Sequence, residues 1–299
     1  MSGPRSESRL RTLVLFTLAT GFAIAGIAVF WLHITSDPLT DFRVYYDAAA
    51  RLNAGLPLYP PGARIYPPLF EMALRPLALL PYELAAATWV AISLGALWLT
   101  LRRLGIRRPA TWHAVGLLGI GIGWTLAIGQ AEVIVTLLLT LGNPLAIAIA
   151  GNIKLFPLLV ATYWVARREW RKLGRLVAWT AGLVLLQLVL DPANSLAFPA
   201  TLGIVGTQIA ENAEHVLSPY ASSPLLWAVL FIVGLVATIR LSRTRWGWAS
   251  AVALAVLASP HLFAYMLMSL LACLRPPDGA RGRSPGLEVN PSDGPNPAG

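Results

Sequence analysis

Three features of the chain predict an all-α membrane protein built as a multi-span helical bundle. Of its 299 residues, 56% are hydrophobic and only 12% are charged. An ordinary soluble domain carries about 25% charged residues, so most of this surface faces something other than water. Apolar runs recur along nearly the whole chain at lengths suited to helices. The basic residues punctuate those runs instead of lining one face. The net charge of +9 therefore reads as a set of topology signals, and no nucleic-acid partner is implied.

The first run, 10–32, is longer than the core of a signal peptide and has no small-residue cleavage site, so it reads as a retained span. Further runs follow at 83–101, 112–127, 130–142, 144–153, 155–166, 173–190, 223–240, 246–258 and 262–274. Several are shorter than the roughly 20 residues of a full span, which gives eight to ten passes of short, tilted or paired helices within one membrane domain, 1–274. The 275–299 tail is rich in Pro, Gly, Ser and Asn and is expected to be disordered in the cytoplasm.

Five clusters hold 18 of the 23 Lys and Arg residues: Arg5 to Arg11, Arg102 to Arg108, Arg167 to Arg175, Arg240 to Arg245 and Arg275 to Arg283. If each run crosses once and the chain starts inside, all five fall on the cytoplasmic side of a bacterial plasma (inner) membrane. The loop 33–82, the Gly129 to Glu132 and Asn152 to Lys154 turns, the loop 191–222 and Ser259 to His261 then face outward. These are the candidate walls of a site.

Within the first outer loop, residues 41–55 read as a short amphipathic helix lying in the interface and closed by Gly55. Tyr45, Tyr46, Tyr59 and Tyr66 suit that depth, with rings toward lipid and hydroxyls toward headgroups. The stretch after Tyr66-Pro67-Pro68 is broken by Arg75-Pro76 and reads as a re-entrant or surface helix.

Carboxylates are few, and most lie on the outer side. Asp41 is either a helix cap or an acid whose partial desolvation suits it to general-base work. Lys154 is a lone cation away from the basic clusters; it either snorkels to the interface or pairs with an anion such as a lipid phosphate. Gln130 and Glu132 cap the next helix or hydrogen-bond a sugar. His261 is either helix-end packing or a ligand for a phosphate oxygen. Glu211, Glu214 and His215 form only a weak metal pattern, and no metal or other cofactor is expected. Cys273 is the single cysteine, so no intrachain disulfide exists. There is no Walker, GxGxxG, GxSxG or HExxH motif.

Several elements together resemble glycosyltransferase family 87. They are Asp41-Phe-x-Val-Tyr-Tyr with Gly55 and Tyr59, Tyr66-Pro-Pro-Leu, Gly129-Gln130, Lys154-Leu-Phe-Pro with Arg167-Arg168-x-Trp170, and Ser259-Pro-His261. The resemblance implies the multi-helix C-type glycosyltransferase (GT-C) fold. It also implies transfer of mannose or arabinofuranose from a polyprenyl-phosphate donor to an envelope glycolipid or glycan acceptor at the extracytoplasmic face. Membrane lipids are the remaining partners. Carried onto this chain, the resemblance makes Asp41 the base. Lys154 and His261 neutralise the phosphate, Gln130 orients sugar or acceptor, and Arg43, Tyr45 and Tyr66 line the site. The chain turns polar after Leu274, where many members continue with further spans, which implies a smaller acceptor groove or an inactive relative. A transporter or flippase, and a non-catalytic scaffold for envelope assembly, are the readings from other classes. A transporter predicts inverted repeats, and no convincing repeated pair is visible.

Overall fold

The structure is a computed structural model and describes residues 4–60, 66–201 and 216–275. Along the chain, α1 (Pro4–Ser36) is followed by α2 (Thr40–Asn53), α3 (Pro68–Leu74) and α4 (Tyr82–Leu104). Next come α5 (Pro109–Leu117) and α6 (Gly119–Ile128), then α7 (Glu132–Leu141) and α8 (Pro144–Ile153). A 3₁₀ turn, Phe156–Val160, leads into α9 (Ala161–Ala166), α10 (Trp170–Leu190) and α11 (Pro192–Thr201). The described chain closes with α12 (Pro224–Leu241), α13 (Gly247–Leu257) and an eleven-residue 3₁₀ helix, Ala264–Leu274. The described residues contain no strand, and the all-α membrane class holds.

Helix length sorts with exposure. Four helices, α1, α4, α10 and α12, are long and apolar enough to cross a membrane, and α5 with α6 makes a fifth span if their 66° bend is counted as one broken helix. The long helices expose apolar side chains, as at Ile27, Val189 and Leu225, which is the behaviour of a lipid-facing surface. The ten-residue helices α7 and α8 are about 15 Å long, half the hydrocarbon thickness. They form the interior instead: Val135, Leu139, Ile147, Ala148 and Ala150 are fully buried.

Backbones approach closely where α1 crosses α6. A Cβ added at Gly26 would fall 2.2 Å from the Gly119 carbonyl oxygen, and one at Gly123 would fall 2.1 Å from that of Gly26. Only glycine admits this contact, which replaces the hydrophobic drive that lipid cannot supply.

Consecutive short elements alternate in direction between two ends. Arg167 donates to the Ser242 carbonyl at 3.2 Å, and Arg275 lies 4.4 Å over the Trp248 ring. Gly142 has Arg275 beside it, so the α7–α8 turn belongs to this arginine-rich end. Glu132 and Lys154, at the other ends of α7 and α8, meet each other at 2.8 Å. They define the opposite end, where α2 and α3 are packed.

The helix read as interfacial is more deeply seated than expected. Phe42, Tyr45 and Ala49 of α2 have no exposed surface. Phe42 stacks on Trp89 of α4 at 5.3 Å, and Leu39 N–H donates to the Ala127 carbonyl at 2.9 Å. The helix ends at Asn53 with Ala54 as its C-cap, and Gly55 just beyond, at φ +69, closes it as the sequence suggests. Its start differs, because Leu39 in a left-handed conformation is the N-cap and no side chain caps it. The 276–299 tail lies outside the described residues.

Candidate active site

The site begins with a turn. Gly129 ends α6 at φ +69, and a Cβ there would fall 2.9 Å from that of Phe42, so the turn and α2 can meet only through a glycine. The Trp89 indole fixes the turn by donating to the Gly129 carbonyl at 2.7 Å. The next residue, Gln130, is thereby aimed into α2. Its Nε2 donates to Asp41 Oδ2 at 2.5 Å, and its Oε1 accepts from the Tyr45 hydroxyl at 2.5 Å.

Leu39 and Ala131, not Asp41 and Gln130, stand at the N-cap positions of α2 and α7, and the Asp41 and Gln130 side chains bond each other. Asp41 is 4% exposed and Gln130 1%. A carboxylate this buried must be hydrogen-bonded, and the amide supplies one such bond while its far end locks Tyr45. The Tyr45 hydroxyl also lies 3.3 Å from that of Tyr66, and the two rings meet edge to face at 4.9 Å.

Lys154 and Glu132 form the second half of the site. Glu132 is completely buried; its Oε2 accepts from Lys154 Nζ at 2.8 Å and its Oε1 from the Ser269 hydroxyl. Ser269 Oγ sits 3.1 Å from Thr136 Oγ1, so three elements converge on one carboxylate. The Lys154 ammonium also rests 4.7 Å from the centre of the Tyr265 ring, a cation–π contact that shields it from lipid. The sequence marks Lys154 as a cation needing an anion, and within the chain Glu132 is that anion.

The halves share one electrostatic environment at Tyr66. Burial pushes its ionisation up, the Asp41 and Tyr265 charges push the same way, and the Lys154 charge opposes them. Tyr45 is raised for the same leading reason, burial, with Tyr66 and Asp41 adding to it. Tyr45 gives its hydroxyl proton to Gln130, and Tyr66, partly buried, is the phenol able to hold a sugar hydroxyl or a phosphate oxygen.

Of the residues singled out in the sequence, Asp41, Tyr45, Tyr66, Gln130 and Lys154 are gathered here. His261 is linked to the group through rings: it lies 5.7 Å from Phe263, which stacks on Tyr265 at 5.4 Å. Arg43 is not brought in. It is exposed and sits 4.4 Å over the Tyr82 ring, because one residue of helix separates its direction from that of the buried Phe42 face. Glu211, Glu214 and His215 lie outside the described residues. Tyr265, Ser269 and the Glu132–Lys154 pairing were not anticipated. Two lone charges of opposite sign, each beside an apolar run, were the available signal for the pair.

At one end the helical bundle keeps Asp41, Gln130, Tyr45 and Glu132 buried and Tyr66 and Lys154 partly buried, and a family model places such a bundle in the class of membrane glycosyltransferases. The chain is a member of glycosyltransferase family 87, whose family model matches residues 65–269. Tyr66, Gln130, Glu132, Lys154, His261 and Tyr265 fall within the matched region, whereas Asp41, Arg43 and Tyr45 precede it. No curated protein and no solved structure matches the chain.

Proposed function

We propose that this protein moves a sugar, mannose or arabinofuranose, from a polyprenyl-phosphate donor to a hydroxyl of an envelope glycolipid or glycan. The reaction takes place at the extracytoplasmic face of the plasma membrane. The observation that carries the reading is the hydrogen-bonded chain Asp41–Gln130–Tyr45–Tyr66, at whose Tyr66 end the Lys154 charge is felt. Transfer from a phosphate-linked sugar needs a base on the acceptor side and positive charge on the leaving-group side. The arginine-rich end suits the cytoplasm, which supports reading the cluster as extracytoplasmic, where a lipid-linked donor needs no nucleotide.

In the step itself, the acceptor oxygen forms a bond to the anomeric carbon as the bond from that carbon to the phosphate oxygen breaks. Attack from the side opposite the leaving group inverts the centre. The acceptor proton passes to Asp41, and both electrons of the broken bond leave with the polyprenyl phosphate, whose added charge is met by Lys154 and His261. Gln130 holds Asp41 with one oxygen engaged and orients the sugar or acceptor. Tyr45 and Tyr66 line the path.

The test is reconstitution in nanodiscs with polyprenyl-phosphate mannose, polyprenyl-phosphate arabinofuranose or nucleotide sugars, in the presence of an envelope glycolipid mixture. Transfer from a polyprenyl-phosphate sugar alone is expected. Transfer only from a nucleotide sugar would overturn the donor, and transbilayer movement of the lipid without transfer would move the protein to the flippases.

A further inference from the structure

The buried partner of Lys154 has a consequence for how a donor is held and released. Lys154 is the cation of the cluster described above, yet its Nζ is 2.8 Å from Glu132 Oε2, and the Lys154 and Glu132 side chains are 11% and 0% exposed. An ammonium in this setting without an anion would be strongly disfavoured. Glu132 is not adjustable: Ser269 donates to its other oxygen, and Thr136, whose hydroxyl lies beside that of Ser269, donates to the Glu132 carbonyl at 2.7 Å. Tyr265 holds the ammonium from another direction at 4.7 Å. The carboxylate is thus fixed, and the lysine is fixed to it.

We propose that Glu132 is a positioning residue that competes with the donor phosphate for Lys154, holding the ammonium in place before the donor binds and weakening its grip on the released polyprenyl phosphate. The inference rests on the donor reading given above. The physical reason is Coulombic. A phosphate that reaches Lys154 also feels the negative charge of Glu132 behind it, and at protein-like screening two unit charges a few ångströms apart interact strongly enough to change affinity by tenfold or more. The leaving group gains negative charge when the sugar departs, so an unbalanced lysine would hold the product more firmly than the donor. A carboxylate at hydrogen-bonding distance opposes that.

The sign of the prediction separates this role from ordinary structural support. Loss of a merely structural ion pair weakens binding or leaves it unchanged. Here, Glu132→Gln keeps an oxygen for Lys154 and for Ser269 while removing the opposing charge. It is expected to tighten binding of a short-chain polyprenyl phosphate by about tenfold, with no change for the uncharged polyprenol. In turnover, KM for the donor and kcat fall together as product release slows. Glu132→Asp keeps the charge but withdraws it by one methylene; it should tighten phosphate binding by less, and it carries the test if the glutamine variant does not fold.

Binding is measured on the reconstituted full chain by titration with the phosphate and the alcohol side by side. Tighter phosphate binding in the order Gln, Asp, wild type supports the proposal. Unchanged or weaker phosphate binding by folded variants overturns it while leaving the donor reading intact. If the wild type does not prefer the phosphate over the alcohol, both fall.

Discussion

At the scale of single residues, the polar groups of the site are defined by what each has been given to bond. Gln130 has an amide nitrogen for Asp41 and an amide oxygen for Tyr45, and a hydrocarbon side chain of the same length would strand both. Tyr45→Phe removes the donor to Gln130 and the contact with the Tyr66 hydroxyl. Losing one hydrogen bond of about 1.4 kcal/mol corresponds to a roughly tenfold lower kcat, to be measured with donor binding unchanged. Glu71 is different. It is 2% exposed, one carboxyl oxygen has no hydrogen-bond partner, and burial pushes its pKa up from the ordinary 4.5. A raised pKa means that the folded state holds the proton more tightly than the unfolded state does. Its favourable contribution is complete below about 4.5 and is lost as pH rises through the folded value. Glu71→Gln, neutral at every pH, should therefore melt higher than wild type at neutral pH, and the gap should close on acidification. A thermal-shift series across pH checks this, and a constant gap would contradict it.

Among the elements, the short interior helices position the chemistry and the long outer ones hold them. Helix α7 carries Glu132, Thr136 and Thr140 four residues apart, all fully buried, so they form a polar stripe on one helical face. The two threonines return their hydroxyls to the carbonyls four residues back, leaving Glu132 to reach outward. Helix α6, which carries the Gly129 turn, is seated on α1 through the glycine crossing. Gly123→Ala or Gly26→Ala places a methyl group where a backbone oxygen already sits. Overpacking of this kind is expected to destabilise by about 1–3 kcal/mol, seen as a lower melting temperature in detergent, whereas Gly21→Ala, with open space around it, should be silent.

Most of the elements were legible in the chain before the structure. The apolar runs 83–101, 144–153 and 246–258 end within a few residues of α4, α8 and α13, because Pro, Gly and Arg punctuate apolar stretches strongly. Helix α2 was also legible, but its depth was not: periodicity shows which face is apolar, not whether lipid or protein covers it. The Glu132–Lys154 pair stayed hidden for a related reason. Its partners are 22 residues apart, and Ser269 is 137 from Glu132, so only the packing of three separate elements brings them together.

For the molecule as a whole, the orientation we propose rests on the gathering of arginines at one end and buried acids at the other. Asp47 and Arg107 are both exposed and belong to opposite ends in the alternating topology. With Cys273 replaced by serine, a membrane-impermeant maleimide is expected to label Asp47→Cys in intact cells and Arg107→Cys only after lysis; the reverse pattern would invert the protein. The family gives sugar transfer, and the end that holds the buried acids is where we propose it occurs. The most direct measurement is the initial rate of sugar transfer from the polyprenyl-phosphate donor by reconstituted wild type and by Asp41→Asn, with folding and donor binding verified for both. A rate at least about 100-fold lower for the variant is expected for loss of a general base; equal rates would show that Asp41 does not take the acceptor proton.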